Sequence, residues 1–393
     1  MSVRILQGDV RDELRKLPAD YYDCVVTSPP YWGLRNYGMA GQIGLEPTLP
    51  EHLSVMVDVF EHVRRVLKPS GTLWLNYGDC YATSVNGRSA ADTKTAGNDD
   101  RTFRDKPFST IGGVLKAKDL CMVPNRLAIA LQEAGWWVRS EIIWAKPNAM
   151  PDSSGRFRPS TSHEKIFLLA KSDEVHFWLA RDTGEVSATP DLTERCPFIT
   201  TGEEGPRWIG LGHYYNAEAV RVGQTPATVA RLAQDVEAQA GSDRANAGRK
   251  TNGNMKAVGR SDKQRGHSRR HNGFNDRWDQ MEKDEQQANG RLLRNYEPAS
   301  LATWPIATSA FKDAHFATFP PELVERCLLA GCPSHGKVLD PFGGAGTTAL
   351  VADRMGLDCD LIELNRKYAQ MAKRRLEKDG GFFTNVGVEG AAT

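Results

Sequence analysis

The sequence predicts an α/β protein built on a doubly wound, mostly parallel sheet that is flanked by helices and interrupted by one inserted region. Short apolar runs alternate with segments of helical periodicity towards both ends of the chain. Two of these runs lead directly into loops rich in proline or glycine, at the position where open sheets of this class bind ligands. Between the two blocks, strand and helix patterns are lost after about residue 175.

The individual elements follow from the spacing of apolar residues. Apolar runs of strand length stand at residues 3–9, 23–26, 72–77, 136–145, 165–170, 337–340 and 359–364. Apolar residues at helical spacing predict helices at residues 12–17, 49–67, 123–134 and 322–330, after residue 347 and near the carboxyl terminus. The Lys-Pro-Ser-Gly sequence at residues 68–71 is expected to end the second helix before the next strand begins.

Composition and charge limit the classes of protein. The 393 residues carry a formal net charge of +1, so attraction to a polyanion must come from a local cluster of bases. The seven cysteines are scattered without a Cys-x-x-Cys pair, which predicts reduced core residues, no disulfide framework and no metal site. No apolar stretch reaches membrane-spanning length, and we expect a cytoplasmic protein without membrane contact.

The first ligand loop, here called the proline loop, is Thr-Ser-Pro-Pro-Tyr-Trp at residues 27–32. Its two prolines lack backbone donors and leave the carbonyl groups of Ser28 and Pro29 free to accept hydrogen bonds. The Ser28 hydroxyl adds a further acceptor and Tyr31 adds an aromatic face, without an obvious nucleophile and base pair. This set suits a flat ring that carries an NH2 group, although a simple turn with a packed tyrosine would also explain these residues alone.

The second ligand loop, here called the glycine turn, is Pro-Phe-Gly-Gly-Ala-Gly at residues 341–346, between a strand that ends in Asp340 and a helix. Glycines let a ligand approach the backbone closely, and Glu363 at the end of the next strand matches the acid that binds ribose hydroxyls in such folds. The turn lacks Gly-x-Gly-x-x-Gly spacing and a following lysine, which favours a nucleoside without pyrophosphate and disfavours a dinucleotide-dependent oxidoreductase. A purely structural glycine turn is the alternative.

The basic segment, residues 241–277, holds ten lysine and arginine residues against three aspartates. Glycine, asparagine and serine separate these bases, among which are Arg269 and Arg270. The pattern predicts contact with a phosphate backbone, with a solvated loop as the alternative.

Both loops resemble the motifs of one family, the S-adenosylmethionine-dependent DNA amino-methyltransferases. The proline loop is similar to their catalytic motif, and Asp-Pro-Phe-Gly-Gly-Ala-Gly-Thr-Thr at residues 340–348 is similar to their cofactor motif. The order of the two motifs resembles the beta class. The resemblance implies a Rossmann-like methyltransferase fold with a catalytic half at residues 1–174, a target-recognition region at 175–310 and a cofactor-binding half at 311–393.

The resemblance also assigns roles to individual residues. The catalytic residues would be Ser28, Pro29, Pro30 and Tyr31. The residues that bind S-adenosylmethionine would be Asp9, Thr27, Phe319, Asp340, Pro341, Phe342, Gly343, Gly344, Gly346, Thr347 and Glu363, of which Phe319 belongs to a short motif at residues 315–320. The residues that contact double-stranded DNA would be Trp32, Arg35, Lys146, Arg269 and Arg270.

The implied reaction is methylation of an exocyclic amine on a base that has left the duplex. Ser28 and the Pro29 carbonyl would accept hydrogen bonds from both N–H groups, which frees the nitrogen lone pair, and Tyr31 would stack on the base. A serine at position 28, where many members have aspartate, favours cytosine N4, with adenine N6 as the alternative. A homodimer and a cognate restriction endonuclease are expectations at the level of the family.

Two other functions fit the motifs less well. Glutamine methyltransferases that act on proteins resemble this chain in their Pro-Pro-Tyr loop, but they have asparagine at the position of Ser28 and the opposite motif order. A nucleic-acid-binding protein without catalysis would be expected to have an altered proline loop or glycine turn, and both are intact here.

Overall fold

The structure is a computed structural model that describes residues 2–34, 36–84, 108–149, 157–197, 204–220, 251–252, 255–256, 302–308, 319–380 and 385–390. The chain divides into two compact units. The first unit comprises Met1–Trp178, Gly210–Val220 and Ala302–Thr393, and the second comprises Leu179–Ile209 and Arg221–Leu301. The predicted boundaries at residues 174 and 310 remain a prediction, because most of the intervening region lies outside the described residues.

Strands and helices alternate along the first unit. Its strands are β1 (Ser2–Gln7), β2 (Tyr22–Thr27), β3 (Leu67–Tyr77), β4 (Trp137–Ala145), β5 (His163–Ala170), β13 (Thr303–Pro305), β14 (Lys337–Asp340), β15 (Asp358–Glu363) and β16 (Asn385–Gly390). Its helices are α1 (Val10–Lys16), α2 (Leu49–Val66), α3 (Val123–Glu133), α4 (Pro321–Gly331), α5 (Thr347–Arg354) and α6 (Arg366–Gly380).

Within the described residues, these strands form one nine-stranded sheet in the order β13-β4-β5-β3-β2-β14-β15-β1-β16. Neighbouring strands are parallel except where β5 pairs with β3 and β4. Helices pack on both faces, which confirms the predicted doubly wound, mostly parallel α/β fold. The first and last thirds of the chain interleave, since β14 lies between β2 and β15, and β1 lies between β15 and β16.

The central strand β2 shows how the two cores arise. Successive side chains of a strand point to opposite faces. Val25 therefore packs with buried residues of α2, including Phe60, while Cys24 and Val26 pack with buried residues of α4, including Leu328. Because both faces are covered, β2 is almost continuously apolar, which is typical of a parallel sheet.

Helix α2 begins and ends close to the predicted positions. Thr48 and Glu51 form a capping box at its start, and Met56, Phe60 and Val63 recur on its buried face. The helix ends at Val66, just before the Lys-Pro-Ser-Gly sequence that was expected to end it, but β3 begins directly at Leu67 and includes residues 68–71, whereas the strand was predicted from residue 72. The pairing of β3 with β2 shifts register between Tyr22 and Cys24. A strand can accommodate a proline, here Pro69, at such an irregularity.

Two strands of the main sheet were not predicted. The three-residue strand β13 joins the sheet at its edge and ends in Pro305. β16, which reads Asn-Val-Gly-Val-Glu-Gly, pairs with β1 at the other edge. Short length and glycine content give both segments weak strand signals.

The remaining strands are short. They are β6 (Phe177–Ala180), β7 (Val186–Ser187), β8 (Arg195–Pro197), β9 (Glu204–Pro206), β10 (Trp208–Leu211), β11 (Thr251–Asn252) and β12 (Met255–Lys256). In the second unit, β8 and β9 form an antiparallel pair. Arg207 forms ion pairs with Asp182 at 2.9 Å and with Glu194 at 2.7 Å, which joins separate segments of this unit.

All seven cysteines are free, and six of them are buried. Burial raises the pKa of the Cys24 and Cys327 thiols above their usual range, so both are protonated core residues. Over the described ranges, no helix has the length and apolar content needed to cross a membrane.

A buried carboxylate connects three strands of the sheet. Asp360 on β15 is 6% exposed, and it accepts hydrogen bonds from Arg4 Nε on β1 at 2.8 Å and from the Tyr22 hydroxyl on β2. Burial and the Asp360 charge raise the pKa of Tyr22 above its usual range, so the phenol keeps its proton and donates it.

Tyr22→Phe removes this donor and leaves a buried carboxylate partly unsatisfied. We expect the free energy of unfolding to fall by about 1–3 kcal/mol, measured by urea denaturation at pH 7. Tyr21→Phe is the matched control, because the Tyr21 ring lies beside the partly exposed Lys337, whose Nζ is 4.8 Å from the ring centre, and its effect should stay within about 0.5 kcal/mol. Equal losses in the two variants would contradict the role assigned to Tyr22.

Candidate active site

The proline loop lies at the carboxyl end of β2, in the middle of the sheet. Thr27 ends the strand, and Ser28, Pro29, Pro30 and Tyr31 line a cavity of about 330 Å³ at this edge. The structure therefore confirms that the proline loop follows the carboxyl end of a strand, as predicted. The Tyr31 ring packs against Tyr77 with ring centroids 4.8 Å apart.

A buried polar network supports the proline loop from below. His52 is completely buried, with Nδ1 2.8 Å from Glu46 Oε2 and Nε2 2.7 Å from Tyr77 Oη. The Tyr77 hydroxyl accepts the Trp32 N–H at 2.9 Å and donates to the Pro30 carbonyl at 3.3 Å. The sequence pattern did not identify this network, because its members come from three separate segments.

Trp32 belongs to the core and does not line the cavity. It is 2% exposed, its Nε1 donates to the Glu46 carbonyl at 2.9 Å, and its ring packs against Phe108. The prediction that Trp32 contacts DNA remains a prediction, and the structure gives it a packing role beneath the loop.

A polar corner adjoins Ser28 and Tyr31. The Ser28 hydroxyl donates to Tyr31 Oη at 3.3 Å, and Tyr31 Oη donates to Glu164 Oε2 at 2.8 Å. Asn76 Nδ2 also donates to Glu164 Oε2, at 3.2 Å. Burial, followed by the charge of Glu164, raises the pKa of Tyr31 well above its usual value, so the phenol stays neutral.

Lys146, predicted to contact a DNA phosphate, lines the cavity and forms an ion pair with Glu164. Its Nζ also lies 4.3 Å from the centre of the Trp144 ring. Trp144 and Glu164 are register partners on β4 and β5. Because β5 runs against its neighbours, its first residues lie at the same sheet edge as the carboxyl ends of the other strands, and this places Glu164 in the site.

The glycine turn follows β14, next to the proline loop. Pro341, Phe342, Gly343 and Gly344 line the cavity. Gly346 has a φ of +75° at the start of α5, and a Cβ there would come within 2.8 Å of the Ala372 Cβ. Glycine is therefore required at position 346 for backbone conformation and helix packing.

Asp340 joins the two loops beneath the cavity. This carboxylate is 1% exposed and accepts hydrogen bonds from Thr27 Oγ1 at 2.7 Å, Thr348 Oγ1 at 2.6 Å and the Phe342 N–H at 3.0 Å. Burial raises its pKa to about 6, against the effect of these hydrogen bonds. Neither Asp340 nor Thr27 is among the residues that line the cavity, so their predicted contact with a cofactor remains a prediction.

Two acids line the cavity on the side of the glycine turn. Glu363 ends β15 and accepts the Gly344 N–H at 2.8 Å and the Asn365 N–H at 2.7 Å. Burial raises the pKa of Glu363 to about 7, despite these hydrogen bonds. Asp9 caps α1, and its hydrogen bonds with Arg11 hold the pKa of the Asp9 carboxyl below its usual range.

The other predicted residues divide into two groups. Phe319 and Thr347 line the cavity together with several residues that the sequence did not single out, among them Gln42, Asn76, Trp144, Glu164, Asn365 and Tyr368. Arg35, Arg269, Arg270 and residues 315–318 lie outside the described residues.

The chain is similar to DNA methyltransferases over nearly its whole length. Residues 22–374 match the family model described as DNA methylase. The chain is 35% identical over 375 residues to the type II methyltransferase M.SmaI of Serratia marcescens, which covers 95% of this chain and 91% of that protein. It is 33% identical over 373 residues to M.XycI of Xanthomonas campestris pv. cyanopsidis, with 95% and 87% covered.

Among solved structures, the PvuII DNA methyltransferase (cytosine-N4-specific) matches with a TM-score of 0.48 and 14% identity, over 95% of this chain and 86% of that chain. A likeness this distant carries no argument about function. The family is established by the match over residues 22–374 and by the two type II methyltransferases, and it confirms the predicted enzyme class and the predicted cofactor. The chain therefore belongs to the DNA methylase family, the enzymes that use S-adenosylmethionine to methylate amino groups of DNA bases.

Proposed function

We propose that this chain methylates the N4 amine of a cytosine that has been flipped out of duplex DNA. The observation that carries the proposal is that one cavity is lined both by Ser28 and Tyr31 of the proline loop and by Phe342, Gly344 and Glu363 of the other half. A target base and a methyl donor could thus be held side by side, which is the main requirement for a direct transfer.

The residues on one side of the cavity fit S-adenosylmethionine, which when bound supplies an electrophilic methyl group on a sulfonium sulfur. Glu363 would accept hydrogen bonds from the ribose hydroxyls, since a carboxylate has lone pairs beyond the two used by backbone N–H groups. Phe342 and Tyr368 offer aromatic faces, and Asp9 contributes negative charge near a cationic ligand. Asp340 would act from below by fixing the glycine turn through the Phe342 N–H.

On the other side, the proline loop would bind the target amine. Ser28 Oγ and the Pro29 carbonyl would accept hydrogen bonds from its two N–H groups, which directs the nitrogen lone pair towards the donor side. The network of Glu46, His52 and Tyr77 would keep these acceptors in place, because it fixes the loop at Pro30 and Trp32. The Tyr31 ring would stack on the flipped base.

The choice of cytosine rests on Ser28. Ser28 provides a neutral hydroxyl at a position where many members of the family that the proline loop resembles have aspartate. Because the Ser28 hydroxyl donates its proton to Tyr31, its oxygen lone pairs remain free to accept hydrogen bonds from an amine. DNA would be held in part by the basic segment, whose excess of positive charge suits a phosphate backbone.

The base is tested by mass spectrometry of nucleosides from duplex plasmid DNA, incubated with the purified protein and methyl-labelled S-adenosylmethionine. We expect label in N4-methylcytosine and none when Ser28 and Tyr31 are both replaced by alanine. Label in N6-methyladenine alone would contradict the cytosine assignment and keep the amine mechanism. Label in neither base would contradict the proposed reaction.

The role of Glu363 predicts a pH dependence of ligand binding. Its pKa is about 7, so the carboxylate loses its charge and one acceptor site as the pH falls through neutrality. The dissociation constant of S-adenosylhomocysteine, measured by calorimetry, should rise about tenfold from pH 8 to pH 6. Glu363→Gln should bind more weakly with a flat profile, whereas Glu389→Gln on β16 should keep the wild-type profile. A Glu363→Gln protein that retains the wild-type profile would contradict the assignment.

The basic segment predicts a salt dependence of DNA binding. Replacing Arg269 and Arg270 by alanine should weaken binding and reduce the slope of log K against log salt by roughly 1.8, because each phosphate contact contributes about 0.9. Arg15 and Lys16, which are exposed and paired with Asp12 and Glu13 on α1, provide a control pair of the same charge. An unchanged slope after the Arg269 and Arg270 substitutions would indicate a solvated loop.

A further inference from the structure

The cavity contains a directional chain of hydrogen bonds whose last member, Glu164, has no role in the proposed function. The Ser28 hydroxyl donates to Tyr31 Oη at 3.3 Å, and Tyr31 Oη donates to Glu164 Oε2 at 2.8 Å. Asn76 Oδ1, 3.2 Å from Tyr31 Oη, is the more distant of two acceptors for the single phenol proton. Donation of that proton to Glu164 leaves an oxygen lone pair for the Ser28 proton. The chain therefore leads from the group that would hold the target amine to a carboxylate.

Glu164 is held in an environment that suits a proton acceptor. Lys146, from the loop after β4, forms an ion pair with Glu164 Oε1. From β3, Asn76 Nδ2 donates to Glu164 Oε2 and to the Lys165 carbonyl, both at 3.2 Å. The Glu164 side chain is 19% exposed.

Methylation of an amine creates a need for such an acceptor. The nitrogen uses its lone pair to form the N–C bond, the bond from the methyl carbon to sulfur breaks with its electrons kept by sulfur, and the nitrogen becomes positively charged. One N–H bond must then break to return a lone pair to the nitrogen. Tyr31 is a poor final acceptor, because burial raises the pKa of its phenol well above the usual value and favours the neutral form.

We propose that Glu164 is the terminal acceptor of the proton that leaves the target amine, and that Ser28 and Tyr31 deliver it. The amine proton passes to Ser28 Oγ, the Ser28 proton to Tyr31 Oη, and the Tyr31 proton to Glu164 Oε2. Both hydroxyl groups end neutral, Glu164 ends as a carboxylic acid, and the charge on the methylated amine is discharged. The inference rests on the proposed amine methylation.

The experiment measures single-turnover methylation by Glu164→Gln, Tyr31→Phe and the double variant, with donor and duplex DNA prebound at saturating enzyme. Each single substitution should lower the rate constant about 10²-fold, and the double variant should be no slower than the slower single variant, because the residues act as a unit. Glu141→Gln, in the neighbouring ion pair with Lys165 at 3.1 Å, is the matched control with an unchanged rate.

Two readouts separate proton transfer from a structural effect. The affinity for S-adenosylhomocysteine and the fluorescence increase of 2-aminopurine at the target position should match those of the wild type in both single variants, and so should their thermal unfolding. Glu164→Asp should recover part of the rate. Rate constants of the single variants within twofold of the wild type, or multiplicative losses in the double variant, would overturn the inference. Failure of the wild type itself to label DNA would instead refute the proposed function.

Discussion

The site depends on the adjacency of two parallel strands that are distant in the chain. β2 and β14 pair with Val25 opposite Leu339, so the loops that follow them leave the sheet side by side. Asp340 then accepts hydrogen bonds from Thr27 on one strand and from Thr348 and the Phe342 N–H on the other side. A buried carboxylate needs such donors to offset its desolvation, and here the same donors fix the relative position of the two loops.

The cavity above this connection is divided by charge. On the glycine-turn side lie the acids Asp9 and Glu363, which suit a ligand with positive charge. The side of the proline loop offers neutral acceptors, and its only described cation in the cavity wall, Lys146, is paired with Glu164. Groups that are fixed before the ligands arrive need little reorganisation during the reaction. The buried network of Glu46, His52 and Tyr77 provides this rigidity for the proline loop.

Sequence patterns predicted the elements with strong local signals and both ligand loops, because apolar periodicity and proline or glycine content are properties of short segments. They did not predict β13 and β16, whose pairing comes from the edges of an existing sheet. Glu164 was not identified either, because its place in the site results from the reversed direction of β5. Similarly, the predicted ligand Asp340 lies beneath the cavity, and burial of this kind depends on packing that a local pattern does not contain.

The position of β1 has a consequence for how the protein is made. Val3 pairs with Cys359 on one side, and Ser2 pairs with Asn385 on the other. Pairings between residues so far apart in sequence form slowly, because a long loop must close before they are gained. During translation β1 therefore leaves the ribosome without its neighbours, and its exposed edges need protection until β15 and β16 are synthesised. Completion of the sheet, and with it of the cavity, therefore waits for the synthesis of β14, β15 and β16.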